Sequence, residues 1–313
     1  MKTYWNHTGR LALPIRRPSG SALLHLNLLF SLLLSSMPAC LISSCSIRQE
    51  DINEVEDVSV KVDSCWFTLD FSIDNKITDS LLTVRRLDVL VYDADGIGSL
   101  ESWKTCYGIP ENLMIKGSRR TKTVVALANS PRSLSRRAID RYDSIELLSY
   151  EFSEDSPEEP LMSGSCSMSP DSPGHISLTP LMSRVQLCEI SNLMTGWVRL
   201  EDPRIYLRNV NPAAEVMRVS GFRPAEVEDT PVRQQLPYDI GAFSQHPGTG
   251  VYCYPNDSPD ATIGTPRTSL VLECEIKGET CRFPVELESI ARNTTVHVDI
   301  TVSGPGTYES KVY

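Results

Sequence analysis

The sequence predicts a mainly β fold arranged as two tandem antiparallel β-sandwich domains. Three observations predict this fold class. Several short segments alternate apolar and polar residues, as strands with one buried face do. Turn residues separate those segments, and a single segment has helical spacing. The chain has 313 residues, of which 41% are hydrophobic, so it can bury two cores behind a processed N-terminal segment.

The first predicted domain, residues 61–174, begins with three strands. Residues 65–73 alternate cleanly, with the odd-numbered apolar residues on one face. Residues 87–92 form a second strand, which a turn at 93–96 closes. Residues 123–128 are a nearly continuous apolar run, which is typical of a central strand.

A short helix is predicted after the third strand. Ser130 can cap it, and Pro131 suits the first helical position. Apolar residues recur at helical spacing at Leu134, Ala138 and Tyr142. One amphipathic helix is therefore expected in an otherwise β-rich chain.

A loop-rich stretch, residues 153–174, predicts the boundary between the two domains. It is rich in Ser, Pro, Glu and Gly. The second predicted domain covers residues 175–313, and its long segment 211–268 is expected to be irregular. Strands are predicted there at 176–178, 184–190, 204–210, 269–277, 283–287 and 294–302.

The first 44 residues predict a cleaved signal peptide. Basic residues precede an apolar run at 22–34, which is too short and too interrupted to predict a spanning helix. The segment Leu41-Ile-Ser-Ser-Cys45 resembles a bacterial lipobox, which implies that Cys45 carries a lipid. Cys40 is a weaker candidate because Pro38 precedes it closely, and an uncleaved membrane anchor is the other interpretation. Residues 45–60 are a polar, acidic tether.

The net charge limits the classes of molecule that the chain is expected to bind. The whole chain carries −10. Residues 1–44 contain four basic residues and no acidic one, so the chain from Cys45 onward carries −14. Such a chain is not expected to bind nucleic acid, whose phosphates require a basic surface. Membrane attachment is expected to come from a covalent lipid rather than from surface charge.

The sequence shows no catalytic signature, and we expect neither enzymatic activity nor a cofactor. After Cys45 there are only three histidines, His175, His246 and His297, and no HExxH, GxSxG or phosphate-binding loop. The turn at 93–96 resembles the start of a calcium loop. However, the twelfth position is Lys104 rather than a glutamate, so a hairpin turn without metal is predicted.

The cysteines do not predict a disulfide framework. Seven follow Cys45, and because this number is odd, at least one thiol has no partner within the chain. Cys188 and Cys274 fall inside predicted strands and are interpreted as small buried residues. His297 lies on the polar face of its strand and is interpreted as a solvated side chain.

Several segments, taken in order, resemble the minor fimbrial anchor family (FimB/Mfa type) of the type V, lipoprotein-derived fimbriae of Bacteroidales. Together they cover most of the chain after Cys45. The matching segments are 87–96, 124–129, 160–164, 176–185, 206–211, 221–224, 252–256, 268–276, 289–293 and 304–306. The resemblance implies two transthyretin-like β-sandwich domains and a non-enzymatic role in adhesion. It further implies an outer-membrane lipoprotein that faces the cell surface, holds the base of a fimbrium and binds a fimbrial subunit by β-strand addition.

Within that resemblance, an anchor is favoured over a stalk subunit. The stretch from Cys45 to Ile73 has one arginine, Arg48, and it precedes the first clear strand. No arginine cleavage site follows that strand, and only eleven residues follow Val302, which leaves little room for a long donor strand. Sequence alone assigns no ligand-binding residue. An exposed strand edge in the second domain is the hypothesis for subunit binding.

Two other functional classes remain open. A surface glycan-binding or adhesin lipoprotein would share the lipobox, the tether and the sandwiches. Its exposed aromatics could come from the irregular segment, at Tyr238, Phe243, Tyr252 and Tyr254. A surface hydrolase is the third class, and it would need a nucleophile or a carboxylate pair that the sequence does not reveal.

Overall fold

The computed structural model describes residues 63–94, 97–170, 172–230, 232–258 and 265–313. The predicted signal peptide, the tether and Cys45 lie outside the described residues. The described chain is mainly β, as the sequence predicts. Its only α-helix, among these residues, is α1 (Tyr142–Glu146).

Eighteen strands are described. They are β1 (Ser64–Ile73), β2 (Arg86–Asp93), β3 (Leu100–Tyr107), β4 (Leu113–Ser118), β5 (Lys122–Ala128), β6 (Ser149–Glu151), β7 (Met162–Met168), β8 (Gly174–Pro180), β9 (Ser183–Asn192), β10 (Glu201–Arg208), β11 (Ala213–Glu215), β12 (Gln234–Gln235), β13 (Phe243–Gln245), β14 (Thr249–Cys253), β15 (Ser269–Ile276), β16 (Glu279–Glu286), β17 (Thr295–Gly304) and β18 (Thr307–Val312). The strands predicted around 65–73, 87–92, 123–128, 269–277 and 294–302 are confirmed.

The N-terminal half, from β1 to β8, is built on a seven-stranded sheet in the order β3-β2-β5-β7-β8-β1-β4, which we call the N-terminal sheet. Its strands all contribute to one apolar cluster, in which Phe67 and Leu69 of β1 meet Val89 and Val91 of β2. The sheet therefore curls around its own core. β5 is buried on both faces, since Val124 belongs to this cluster and its neighbour Val125 to another, as the apolar run predicts.

A second apolar cluster covers the opposite face of that sheet and joins it to the C-terminal half. Leu90 and Val125 of the sheet contribute to it, together with Phe222 and Tyr254 from the later part of the chain. The third cluster lies between two sheets of the C-terminal half. Their strand orders are β12-β10-β15-β16 and β13-β9-β17-β18, and β14 also pairs with β9.

The sheets are antiparallel, as predicted, except at two strand pairs. β1 is parallel to β8, and β17 is parallel to β9. About one hundred residues separate the members of each pair in sequence, so no hairpin turn imposes an antiparallel direction on them. β8 belongs to the seven-stranded sheet and extends it to Pro180, past the predicted boundary at 174. The division into two domains stays a prediction.

The helix predicted from Ser130 to Tyr142 is wrong. A 3₁₀ turn covers Arg136–Ala138, and α1 is a single helical turn. Ser130 bonds through its hydroxyl to the Tyr150 hydroxyl at 2.7 Å instead of capping a helix. Within Ser130–Tyr142 the fully buried residue is Ile139, and Ile145 of α1 is fully buried beyond it. Packing against the sheet decided the local conformation, overriding helical spacing.

The loop prediction for residues 153–174 is wrong where β7 lies. β7 pairs with β5 along its whole length. Its Ser- and Gly-rich sequence reflects a close approach to β8, since a Cβ atom on Gly164 would lie 2.3 Å from the Ser177 carbonyl oxygen. The glycine therefore marks tight strand packing rather than a turn.

Candidate functional site

β18 forms one edge of the five-stranded sheet. Among the described strands it pairs only with β17. It contains neither Pro nor Gly, and most of its side chains are exposed. A strand edge of this kind presents unpaired backbone groups to other chains.

The register with β17 determines which backbone groups are unpaired. His297 and Tyr313 exchange two backbone hydrogen bonds, of 2.9 and 3.0 Å. In an antiparallel pair, hydrogen-bonded and non-hydrogen-bonded positions alternate. Tyr308, Ser310 and Val312 occupy the non-hydrogen-bonded positions. Their N–H and C=O groups therefore point away from β17, toward the open edge.

The side chain of Tyr308 ties β18 to the other sheet of the C-terminal half. Its ring meets that of Phe283 edge to face, with 5.4 Å between centroids. Its hydroxyl donates a hydrogen bond to the carbonyl oxygen of Pro284 in β16. β16 is itself an edge strand, and Pro284 suits such a position because it has no N–H to donate. The open edge of β18 is thus anchored to the core from its inner face.

A side-chain hydrogen bond connects β3 and β4, the two edge strands of the N-terminal sheet. Glu101 of β3 accepts a hydrogen bond of 2.5 Å from the Ser118 amide of β4. Glu101 also pairs at 2.6 Å with Lys122, whose side chain is fully buried. Partial burial alone would raise the pKa of Glu101, but the hydrogen bonds from Lys122 and Ser118 lower it below its ordinary value. This bridge makes β3 and β4 less open to an added strand than β18.

Exposed aromatics lie beside a cavity of about 540 Å³ in the C-terminal half. Tyr238 lines it with Ser244, Gln245 and His246. Phe243, which neighbours Ser244, is 77% exposed and has a φ of 97°, a conformation that a side chain of this size rarely adopts. Of the other two aromatics in the glycan-binding hypothesis, Tyr252 is half-buried and Tyr254 is fully buried.

The three histidines do not meet. His175 hydrogen-bonds to the Ser72 hydroxyl at 2.9 Å, and His246 lies near Glu189. His297 is half-buried and contacts Cys188, which the solvated interpretation did not foresee. Cys274 is buried as predicted, whereas Cys188 lies half-buried on the outer face of its sheet. Cys188 and His297 come into contact only because β9 pairs with the distant strand β17, so no local sequence motif predicts this contact.

The described residues carry no group of three or more His, Cys, Asp or Glu placed to hold a metal ion. β2 and β3 pair as a hairpin, and Lys104 lies within β3; residues 95 and 96 of the predicted turn lie outside the described residues. All seven cysteines in the described part are free thiols. No helix in the same part is long and apolar enough to cross a membrane.

The sequence matches no protein-family model and no curated protein. The fold, by contrast, is similar to solved structures. A candidate cell adhesion protein from Parabacteroides distasonis aligns with a TM-score of 0.60 at 14% identity, over 80% of this chain and 96% of the other. One from Bacteroides eggerthii aligns at 0.59 and 13%, over 80% and 95%. A fimbrial assembly protein from P. distasonis aligns at 0.53 and 13%, over 80% and 96%.

Proposed function

We propose that this chain is a non-enzymatic lipoprotein of the outer membrane that anchors the base of a fimbrium and supports adhesion. A lipid on Cys45 holds it in the membrane, facing the cell surface. Because one acyl chain binds only marginally, stable attachment needs more than one. The chain receives a fimbrial subunit by strand addition.

The observation that carries the proposal is the open edge of β18. Three residues there, Tyr308, Ser310 and Val312, direct backbone groups outward in register. The fold supports the same role, since similar structures are described as candidate cell adhesion and fimbrial assembly proteins. The lipobox-like segment before Cys45 supports the membrane attachment.

The test is Cys45→Ala in the native organism, with Cys40→Ala as the matched control. Cells and medium are separated, and both this protein and the fimbrial polymer are measured in each. We expect Cys45→Ala to release both into the medium and Cys40→Ala to leave both on the cells. The proposal fails if this protein is released while fimbriae stay on the cells, or if the cells bear no fimbriae.

A second candidate function is carbohydrate binding at the cavity beside Tyr238. Tyr238 is 72% exposed and Phe243 is 77% exposed, and polar side chains line the same cavity. Aromatic faces flanked by hydrogen-bonding groups suit a sugar ring. Glycan-array binding should then fall with Tyr238→Ala and Phe243→Ala. Tyr107→Ala, at an 89% exposed tyrosine of the N-terminal half, is the control and should leave binding unchanged.

A further inference from the structure

A cluster of four titratable side chains lies on the outer face of the five-stranded sheet. The Cys188 sulfur in β9 is 3.2 Å from Nδ1 of His297 in β17. The Tyr313 ring stacks on the His297 ring, with 5.5 Å between centroids. The Tyr313 hydroxyl donates a hydrogen bond to Oδ1 of Asp299 at 3.4 Å. A nucleophile and a base therefore sit within hydrogen-bond reach on a polar face.

Cys188 lies at a β-bulge in β9. Leu187 pairs with Val298, but the next residue of β17, Asp299, pairs with Glu189. Cys188 and Glu189 thus lie together opposite Asp299, which is the two-against-one arrangement of a bulge. Both residues are half-buried, whereas Leu187 before them and Ile190 after them are fully buried in the core. Strand alternation from Gln186, the partner of His297, places the thiol on the histidine side of the sheet, and the bulge turns Glu189 to that side while Ile190 returns to the core.

Other cysteines of the chain have different surroundings. Cys253 and Cys274 belong to the apolar core, and burial raises the pKa of each thiol to about 12. Burial likewise raises the pKa of Cys166 to about 11. A thiol must ionise to act as a nucleophile, so these three are expected to be inert. Among the described cysteines, Cys188 is the one that the structure shows hydrogen-bonded to a histidine.

We propose that Cys188 is a reactive thiol, activated by His297, that exchanges with small disulfide-containing molecules and becomes a mixed disulfide. The Cys188 thiol gives its proton to Nδ1 of His297, in the tautomer with its own proton on Nε2. The thiolate attacks one sulfur of the small disulfide, a new bond forms between the two sulfurs, and the original S–S bond breaks. The departing thiolate takes the proton from His297. Cys188 is oxidised, and one half of the small disulfide is reduced.

Tyr313 is a positioning residue, because its ring stacks on His297 and its hydroxyl is held by Asp299. Partial desolvation, together with nearby Cys188 and Asp299, raises the pKa of the Tyr313 hydroxyl to about 12. The hydroxyl therefore stays neutral and adds no negative charge beside the thiolate. Lys311 lies 4.9 Å from the Tyr313 ring centroid and adds a positive charge to the same face. This reactivity does not depend on the proposed anchoring role.

The test measures mixed-disulfide formation at each cysteine of the purified full chain with oxidised glutathione as the probe. Samples are quenched with an alkylating reagent over time and analysed by peptide mass spectrometry. We expect Cys188 to react at least about ten times faster than Cys253 and Cys274. Cys106, a half-buried thiol on edge strand β3, is the matched comparison for access alone, and Cys188 should also react faster than Cys106.

His297→Gln tests the role of the base, because glutamine keeps a polar side chain but does not take up a proton. We expect it to slow the reaction of Cys188 about tenfold, while His175→Gln, the control histidine, leaves the rate unchanged. Tyr313→Phe keeps the stacked ring and should have a small effect. The proposal is overturned if wild-type Cys188 reacts no faster than Cys106, or if His297→Gln leaves the rate unchanged. The wild-type comparison needs no variant, so it decides the matter even if a variant fails to fold.

Discussion

At the scale of single residues, Asp155 is a half-buried carboxylate that accepts three hydrogen bonds. Its carboxylate accepts hydrogen bonds from the backbone N–H of Ser156 and Leu161, at 2.9 and 2.8 Å. The hydroxyl of buried Tyr254 donates a third, at 3.2 Å. These bonds favour the ionised form, but burial outweighs them and raises the pKa of Asp155 to about 6.

The raised pKa of Asp155 makes the free energy of unfolding depend on pH. Between the ordinary pKa of 3.8 and about 6, the folded chain holds a proton that the unfolded chain has released. The contribution of Asp155 to stability therefore falls as pH rises through this window. At pH 7 ionisation of this half-buried carboxylate lowers the free energy of unfolding by at most about 3 kcal/mol.

Asp155→Asn should remove that cost while keeping an oxygen to accept the two backbone hydrogen bonds. We expect the free energy of unfolding to rise by about 1–3 kcal/mol at pH 7 and to change little at pH 4. Urea unfolding at the two pH values measures it. The control is Glu154→Gln, at a neighbouring carboxylate whose pKa the hydrogen bond from Arg132 lowers, and it should give no such gain. A larger loss for Asp155→Asn at pH 7 than at pH 4 would contradict the assignment.

At the scale of elements, strand edges differ in how they are protected. The edges of the N-terminal sheet are bridged through Glu101, whereas β18 has β17 on one side and no described strand on the other. The alternation of backbone groups along β18 separates two sets of positions. The backbone N–H and C=O groups of residues 308, 310 and 312 point to the open edge, and those of the residues between them bond to β17.

Ser310→Pro tests the edge directly. Proline lacks the N–H that points outward at this position, and it is tolerated where that group faces solvent. We expect the variant to keep the fold but to bind the fimbrial subunit about tenfold or more weakly. The added strand would lose a backbone hydrogen bond and would clash with the proline ring. Binding is measured with purified protein and subunit, and Ser310→Ala is the control.

Lys311→Pro supplies the contrast on the same strand. Its N–H faces β17, so proline there should disturb the sheet itself and lower the melting temperature. Equal binding by Ser310→Pro and Ser310→Ala would show that subunits do not add to this edge.

At the scale of the whole molecule, Arg292 connects the two halves. Its guanidinium donates to the carbonyl oxygens of Thr179, Pro180, Val216 and Arg218, and to the Ser163 hydroxyl, over distances of 2.6 to 3.0 Å. None of these partners carries a charge. Burial lowers the pKa of Arg292 to about 10, so the group remains charged at neutral pH. Five neutral acceptors, rather than a carboxylate, compensate the partly buried cation.

Arg292→Lys should therefore be strongly destabilising. A lysine amine has three donors and cannot span the five acceptors, so buried carbonyls lose their partners. We expect the free energy of unfolding to fall by about 2–5 kcal/mol, measured by urea unfolding. Arg119→Lys is the control, at an exposed arginine paired with Asp63, and should change stability by less than about 1 kcal/mol. Similar losses for both variants would show that the buried connection contributes little.

The sequence by itself determined most strands and the fold class. β1 and β17 bury mainly one face, and this requirement produces an alternation of apolar and polar residues that is visible in the sequence alone. The apolar run of β5 likewise records burial on both faces. The open edge of β18 was harder to predict, because an exposed strand needs no apolar pattern.

Only the tertiary structure decided the rest, because each remaining feature joins residues that are distant in sequence. Where a longer helix was predicted, packing onto the sheet leaves only α1 and a 3₁₀ turn. Within the predicted loop 153–174, β7 forms a strand whose Gly164 packs closely against β8. The parallel pairing of β9 with β17 brought Cys188 to His297, 109 residues away. Local periodicity records which face of a strand is buried, but not which distant strand will lie beside it.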